Sequence, residues 1–199
     1  LKAIKSFPEL NLAIDRGSLS LFLSHAYVPC PHSIYEDIFS LEPGEILEVS
    51  IDDKTSKSKK YWDVSEVIKN NTVNKFNGTS SDAVKKLESL IASSVKRQMI
   101  SDVPLGAFLS GGIDSSTIVS LMQSQSSKPI KTFTIGFNEK GFDEAKYAKS
   151  IAKHLGTDHT ELYVDADSAM KVIPDMHSIY CEPFADPTQI PNYIVSKLA

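Results

Sequence analysis

A chain of 199 residues with 41% hydrophobic and 23% charged residues has the balance of a soluble globular protein, with room for one ordinary domain and part of a second. Its net charge of −4 argues against a nucleic-acid partner, and its two cysteines, Cys30 and Cys181, are too few for a disulfide framework or a four-ligand zinc site. No apolar run approaches membrane-spanning length, so the expectation is a cytoplasmic protein acting on small molecules, with neither nucleic acid nor membrane as partner.

Residues 1–50 carry short apolar runs at 10–14, 18–24 and 46–49, the last after the Pro43-Gly44 turn, and are expected to form a mostly antiparallel β piece. Residues 34–41 read as a short helix or turn leading into the final hairpin. His25, His32 and Cys30 lack partners at any readable spacing, so no catalytic group is assigned there. Residues 51–80 are polar and rich in Lys, Ser and Asn, which sets a boundary between a first domain with its linker, 1–65, and a second, 66–199. Ser81 is placed to cap a helix over 82–100, with Val84, Leu87, Ile91, Val95 and Met99 as its core-facing stripe.

Residues 103–109 are almost continuously apolar and predict a parallel strand covered on both faces, with Pro104 tolerable at its start. From Ser115 onward, Ile118, Val119, Leu121 and Met122 recur at helical spacing. Between them Ser110-Gly111-Gly112-Ile113-Asp114-Ser115-Ser116 joins a strand's carboxyl end to a helix's amino end. Free amides and the positive end of the helix dipole attract an anion there, and glycines let a phosphate approach the backbone. Ser110, Ser115 and Ser116 add hydroxyl donors, whereas Asp114 would repel phosphate unless a cation lay between them. A magnesium ion held by one carboxylate, phosphate oxygens and water meets that demand. Neither the Walker A ending nor G-x-G-x-x-G spacing is present.

Residues 130–137 alternate, with Phe133, Ile135 and Phe137 on one face, and predict a second strand ending near Gly136. Asp143 is expected to cap a helix that buries Ala145, Ala148, Ile151, Ala152 and Leu155 and stops at Gly156. Residues 159–164 predict a third strand. Strand, helix, strand, helix, strand is the order of an α/β parallel sheet with right-handed crossovers, its ligand beyond the strands' carboxyl ends. Leu109, the Ser110 loop and Ile135-Gly136 gather at that edge. Later, Ile190, Tyr193, Ile194 and Leu198 repeat at helical spacing, and Glu182 and Asp186 bracket a Pro-Phe turn, fit either to line an acceptor site or to serve as caps and loop acceptors.

The seven residues 110–116 resemble the S-G-G-x-D-S-S pyrophosphate loop of the ATP pyrophosphatases, which adenylate a carboxylate or carbonyl and release pyrophosphate. Leu1-Lys2-Ala3-Ile4, residues 24–31, Leu41-Glu42-Pro43-Gly44-Glu45 and Lys60-Tyr61-Trp62-Asp63 resemble the closing part of the glutaminase domain of glutamine-dependent asparagine synthetases, with Cys30 where that family has glycine. Thr132-Phe133-Thr134-Ile135-Gly136-Phe137, Phe142-Asp143-Glu144-Ala145, residues 154–159 and residues 182–187 resemble the same family further along.

The resemblance implies an adenine nucleotide alpha-hydrolase-like domain preceded by the β-rich tail of a class II glutamine amidotransferase domain. It implies an ATP-dependent amidation of aspartate to asparagine through β-aspartyl-AMP, releasing AMP and pyrophosphate, with ammonia from glutamine. ATP would then lie against Leu109, Ser110, Gly111, Gly112, Ser115, Ser116, Ile135 and Gly136, with Asp114 on Mg2+ and no catalytic residue within the chain. Aspartate and glutamine or ammonia are the implied partners, with a homodimer as the option for the complete enzyme. The same resemblance implies a fragment, inactive alone, with the glutamine-hydrolysing cysteine upstream and a Ser-Gly-Glu-Gly stretch downstream. Two rivals stand beside this: a carboxylate-adenylating ligase of the β-lactam synthetase or peptide cyclase type, and a noncatalytic nucleotide-binding homologue.

Overall fold

The computed structural model describes residues 1–137 and 144–199. They fall into two compact units, residues 1–76 with 174–186 and residues 77–173 with 187–199. Phe142 and the expected cap Asp143 lie outside the described residues.

The first unit differs from the expected β piece. Lys2–Lys5 (α1) and Arg16–His25 (α2) are helical, and the only ladder among its described residues is the hairpin of Glu45–Ser50 (β1) and Thr55–Lys60 (β2). The Ser-Leu alternation at 18–23 suggests a strand, but Asp15 overrides it: its carboxylate accepts from the Ser18 N–H at 2.9 Å and caps the first turn of α2. Residues 55–60 have a linker's composition yet pair fully with β1, because Glu45 faces Lys60 and Glu48 faces Lys57 across the hairpin. Lys60 also bridges Glu42 at 2.5 Å. Asp63 starts a further helix, Val64–Val73 (α3), by accepting from the Ser65 N–H at 2.7 Å. The late segment with Met176–Ile179 (α4) joins this unit by bridging Tyr27 to Phe184 and by the Ile34 N–H, which donates to Glu182 Oε1 at 2.9 Å.

The second unit opens with Ser80–Gln98 (α5). Its cap is Thr79 and not Ser81: the Thr79 hydroxyl meets the Asp82 N–H while the Asp82 carboxylate takes the Thr79 N–H, closing a reciprocal box that Ser81 could not form. Only the carboxyl-terminal half of the stripe is core. Val95 packs with Met122 and Ile130, whereas Val84 and Leu87 stay exposed, with no element among the described residues covering them.

The expected strands are present, in parallel and in the order β3-β4-β5: Gly106–Phe108 (β3), Lys131–Phe137 (β4) and Asp158–Val164 (β5). β3 is shorter than the apolar run 103–109. Pro104 has no N–H to give a ladder, and Val103 is 70% exposed. Ile113–Ser124 (α6) follows β3 and Ala145–Leu155 (α7) follows β4. Leu109 packs with Val119 of α6 and with Ala148 and Ala152 of α7, so both helices cover the face of Ala107 and Leu109. Ala166–Met170 (α8) follows β5, and Gln189–Leu198 (α9) packs on β4. No helix among the described residues is long and apolar enough to cross a membrane.

Candidate functional site

The turn between β3 and α6 is shaped by what surrounds it. Leu109, 1% exposed, anchors its start in the core, and the Leu109 N–H donates to the Phe133 carbonyl at 2.9 Å, one step beyond the last paired residue of β3. The chain then turns through Gly111 at φ +82°, where a Cβ would meet Tyr147 Cβ at 2.8 Å and the Ala148 nitrogen at 2.9 Å. Only glycine lets the loop lie this close to the first turn of α7. Gly112 is the N-cap of α6, and no side chain caps that terminus.

Three serines converge on this helix start. The Ser110 and Ser115 hydroxyl oxygens are 3.0 Å apart, and Ser115 Oγ also receives the Ser110 N–H at 3.3 Å. The Gly112 N–H donates to Ser110 Oγ at 3.3 Å, while the Ser115 and Ser116 hydroxyls donate to the Gly112 carbonyl at 3.2 and 2.6 Å. Hydroxyls held this way are already gathered on one spot and need only rotate to meet an anion. Asp114 is exposed on the first turn of α6, beside but not within this network.

A cleft of about 310 Å³ opens beside the loop. Leu109, Ser110 and Ile135 line it, as do Phe133, Phe137 and, from α9, Asn192. The register turns the peptide groups of Phe133 and Ile135 toward β3, and because β3 ends at Phe108, the Ile135 N–H and carbonyl face the space beyond its end. The predicted residues thus divide into two neighbouring groups, Leu109, Ser110 and Ile135 at the cleft and Gly111, Gly112, Asp114, Ser115 and Ser116 around the helix start. Gly136, between Ile135 and Phe137, does not itself line the cleft. It is buried, and a Cβ there would meet the Tyr163 ring at 2.5 Å and Ala145 Cβ at 3.0 Å, so glycine serves packing at that position.

Sequence reading missed Glu144 and Asn192 in the cleft wall. Asn192 lies on the polar side of the predicted 190–198 helix, and only the packing of α9 on β4 brings it to the cleft. Glu182, one of the two acceptor-site candidates, is engaged within the first unit by the Ile34 N–H, the loop-acceptor alternative. Asp186 is half-buried in that same unit.

His159 carries a shifted pKa at the other end of the sheet. His159, paired with Thr132 at the amino end of β4, holds its Nδ1 2.9 Å from Thr132 Oγ1, which also contacts Thr157 Oγ1 at 2.9 Å. Its buried Nε2 has no partner among the described residues, and desolvation lowers its pKa from the ordinary 6.5. Among the described residues no three His, Cys, Asp or Glu side chains cluster as a metal site.

The sequence model of the asparagine synthase family matches residues 86–199. Over 202 residues the chain is 33% identical to a putative asparagine synthetase [glutamine-hydrolyzing] 2 of Methanocaldococcus jannaschii, covering all of this chain and 38% of that protein. It is 34% identical over 190 residues to asparagine synthetase [glutamine-hydrolyzing] 1 of Bacillus subtilis, covering 95% of this chain and 28% of that protein. A bovine asparagine synthetase [glutamine-hydrolyzing] is 29% identical over 107 residues, about half of this chain. The chain therefore spans roughly a third of the length of the first two relatives.

Proposed function

Because the chain belongs to the asparagine synthase family, we propose that its second unit forms part of the ATP site of an enzyme that amidates aspartate to asparagine, with ammonia drawn from glutamine. The observation that carries this reading is the uncapped start of α6, ringed by three serine hydroxyls and set beside a cleft at the carboxyl edge of a parallel sheet. An anion of phosphate size suits the helix start, and an aromatic base suits a cleft walled by Phe133, Phe137 and Ile135.

In this reading the cleft takes the adenosine and the loop takes the phosphates. Aspartate's carboxylate resists attack by ammonia because of its charge. Transfer of AMP to one of its oxygens releases pyrophosphate, and ammonia then displaces AMP to leave the amide. Loop amides and serine hydroxyls aimed at the departing pyrophosphate stabilise the charge that develops on it, and binding both reactants in one place makes the step effectively unimolecular. The donor set fits magnesium carried in on the nucleotide: one exposed carboxylate, Asp114, stands at the phosphate turn, and no protein-built cage of three or more ligands occurs among the described residues. Such an ion supplies charge neutralisation on the phosphate oxygens.

The reading is tested on the complete protein with ATP, magnesium, aspartate and either glutamine or ammonium, following phosphorus species by NMR and amino acids by chromatography. AMP, pyrophosphate and asparagine in equal amounts are expected. ADP and phosphate as products would overturn it; pyrophosphate release that requires a different carboxylate would transfer the site to a related ligase, and absence of turnover with intact ATP binding would leave a noncatalytic homologue.

A further inference from the structure

We propose that Thr134 is a positioning residue for the nucleotide, its hydroxyl holding the Leu109 carbonyl at the entrance to the phosphate loop and thereby leaving the Ile135 amide to the ligand. This rests on the reading above that cleft and loop bind ATP.

Thr134 is 3% exposed, and Leu109, which it faces across the sheet, is 1% exposed. The Thr134 hydroxyl donates to the Leu109 carbonyl, one residue before Ser110. In a parallel ladder whose Leu109 N–H reaches the Phe133 carbonyl, the next bond would run from the Ile135 N–H to the Leu109 carbonyl. Among the described residues Thr134 occupies that acceptor instead. The side chain thus ends the ladder one bond early. It satisfies a buried carbonyl that water cannot reach, and it turns a strand amide into a donor facing the cleft. It also fixes the height at which the chain leaves the sheet, which sets where Ser110 and Gly111 lie relative to Ile135. A base seated against Ile135 and phosphates seated on the loop are parts of one ligand, so their spacing has to be held.

Valine copies the shape of threonine without the donor, and the Leu109 carbonyl must then stay unpaired or recapture the Ile135 amide. Serine keeps the donor. The experiment compares wild type, Thr134→Val and Thr134→Ser in the complete protein by equilibrium binding of ATP with magnesium, KM for ATP and for aspartate, kcat and thermal midpoint. Thr134→Val is expected to weaken ATP binding and raise the KM for ATP about tenfold, the order of a lost buried hydrogen bond, while kcat and the KM for aspartate stay within about twofold. Thr134→Ser is expected within about threefold of wild type. ATP binding by Thr134→Val equal to wild type overturns the proposal, as does equal weakening by the serine variant, which would show that packing alone is at stake. If the valine variant fails to fold, Thr134→Cys, with its weaker donor, takes its place: binding between wild type and tenfold weaker supports the proposal, and binding equal to wild type overturns it. If wild type binds ATP yet makes no asparagine, the functional reading falls while the binding comparison still decides the role of Thr134; if it binds no ATP, both fall.

Discussion

Replacing Gly111 with alanine strains the loop in two independent ways. At φ +82° a residue with a Cβ costs about 1–3 kcal/mol in backbone strain. The new methyl would also lie 2.9 Å from the Ala148 nitrogen and 2.8 Å from Tyr147 Cβ. Neither neighbour is the far end of a flexible chain, so α7 itself must shift, and overpacking of this sort adds about 1–3 kcal/mol. The sum is roughly 2–6 kcal/mol, which for a chain of this size lowers the thermal midpoint by at least about 4 °C. Gly112→Ala is the control. Its φ is −74°, and a Cβ there would sit 3.3 Å from Ser110 Oγ, a hydroxyl that can rotate away. Its cost should be about 1 kcal/mol or less, the preference for glycine over alanine at an N-cap. Thermal unfolding of the 199-residue chain, followed by circular dichroism, measures both. A shift under about 1 °C for Gly111→Ala, or equal shifts for the two variants, would refute the assignment of the cost to the approach of the loop and α7.

Asp114→Asn in the complete protein should cut magnesium-dependent pyrophosphate release by far more than tenfold with little change in thermal midpoint, because the side chain is exposed and contributes only about 0.3–1 kcal/mol through the helix dipole; activity within about twofold of wild type would end the metal role. Thr79→Ala should cost about 1 kcal/mol in urea unfolding by opening the box with Asp82, without altering ATP affinity. For His159 the folded pKa lies below 6.5, so above that pH both states are neutral and the group contributes nothing. As the pH falls through 6.5 the unfolded chain takes up the proton first, and stability drops until the folded pKa is passed. A thermal midpoint that falls between pH 7 and 5, and falls less in His159→Gln, is the expected result; parallel curves for the two proteins would exclude it.

Much of the second unit is legible because its signals are local. The apolar strand, glycine pair and helical spacing across residues 103–122 each follow from steric and solvation rules acting within a few residues, and Gly156 stops α7 at φ +71° as expected. The first unit is less legible because its order is set by partners outside each segment, across a turn or far along the chain. Residues 55–60 have no strand propensity to speak of and become β2 only by facing the carboxylates of β1. Asp15 and Thr79 show the opposite case, where one residue is enough: the Asp15 cap makes 16–25 helical, and Thr79 rather than Ser81 closes the box that starts α5. At the site, Leu109 and Ser110 follow from the motif, but Asn192 needs the packing of α9 on β4, and the burial of Gly136 under Tyr163 depends on the register of β5.

The first unit is stitched from two stretches separated by nearly a hundred residues, and this has a temporal consequence during synthesis. Tyr27 has its bridging partner at Phe184, the Ala26 carbonyl accepts from the Ala185 N–H, and Ile34 waits for Glu182. A ribosome adding about 5–20 residues per second leaves residues 1–76 without those partners for roughly 5–20 s. Meanwhile α5, β3, α6, β4, α7 and β5 emerge in order, each next to a neighbour already made. The part of the chain made first is therefore completed late, and the second unit, which takes its last helix α9 from residues 187–199, is completed later still.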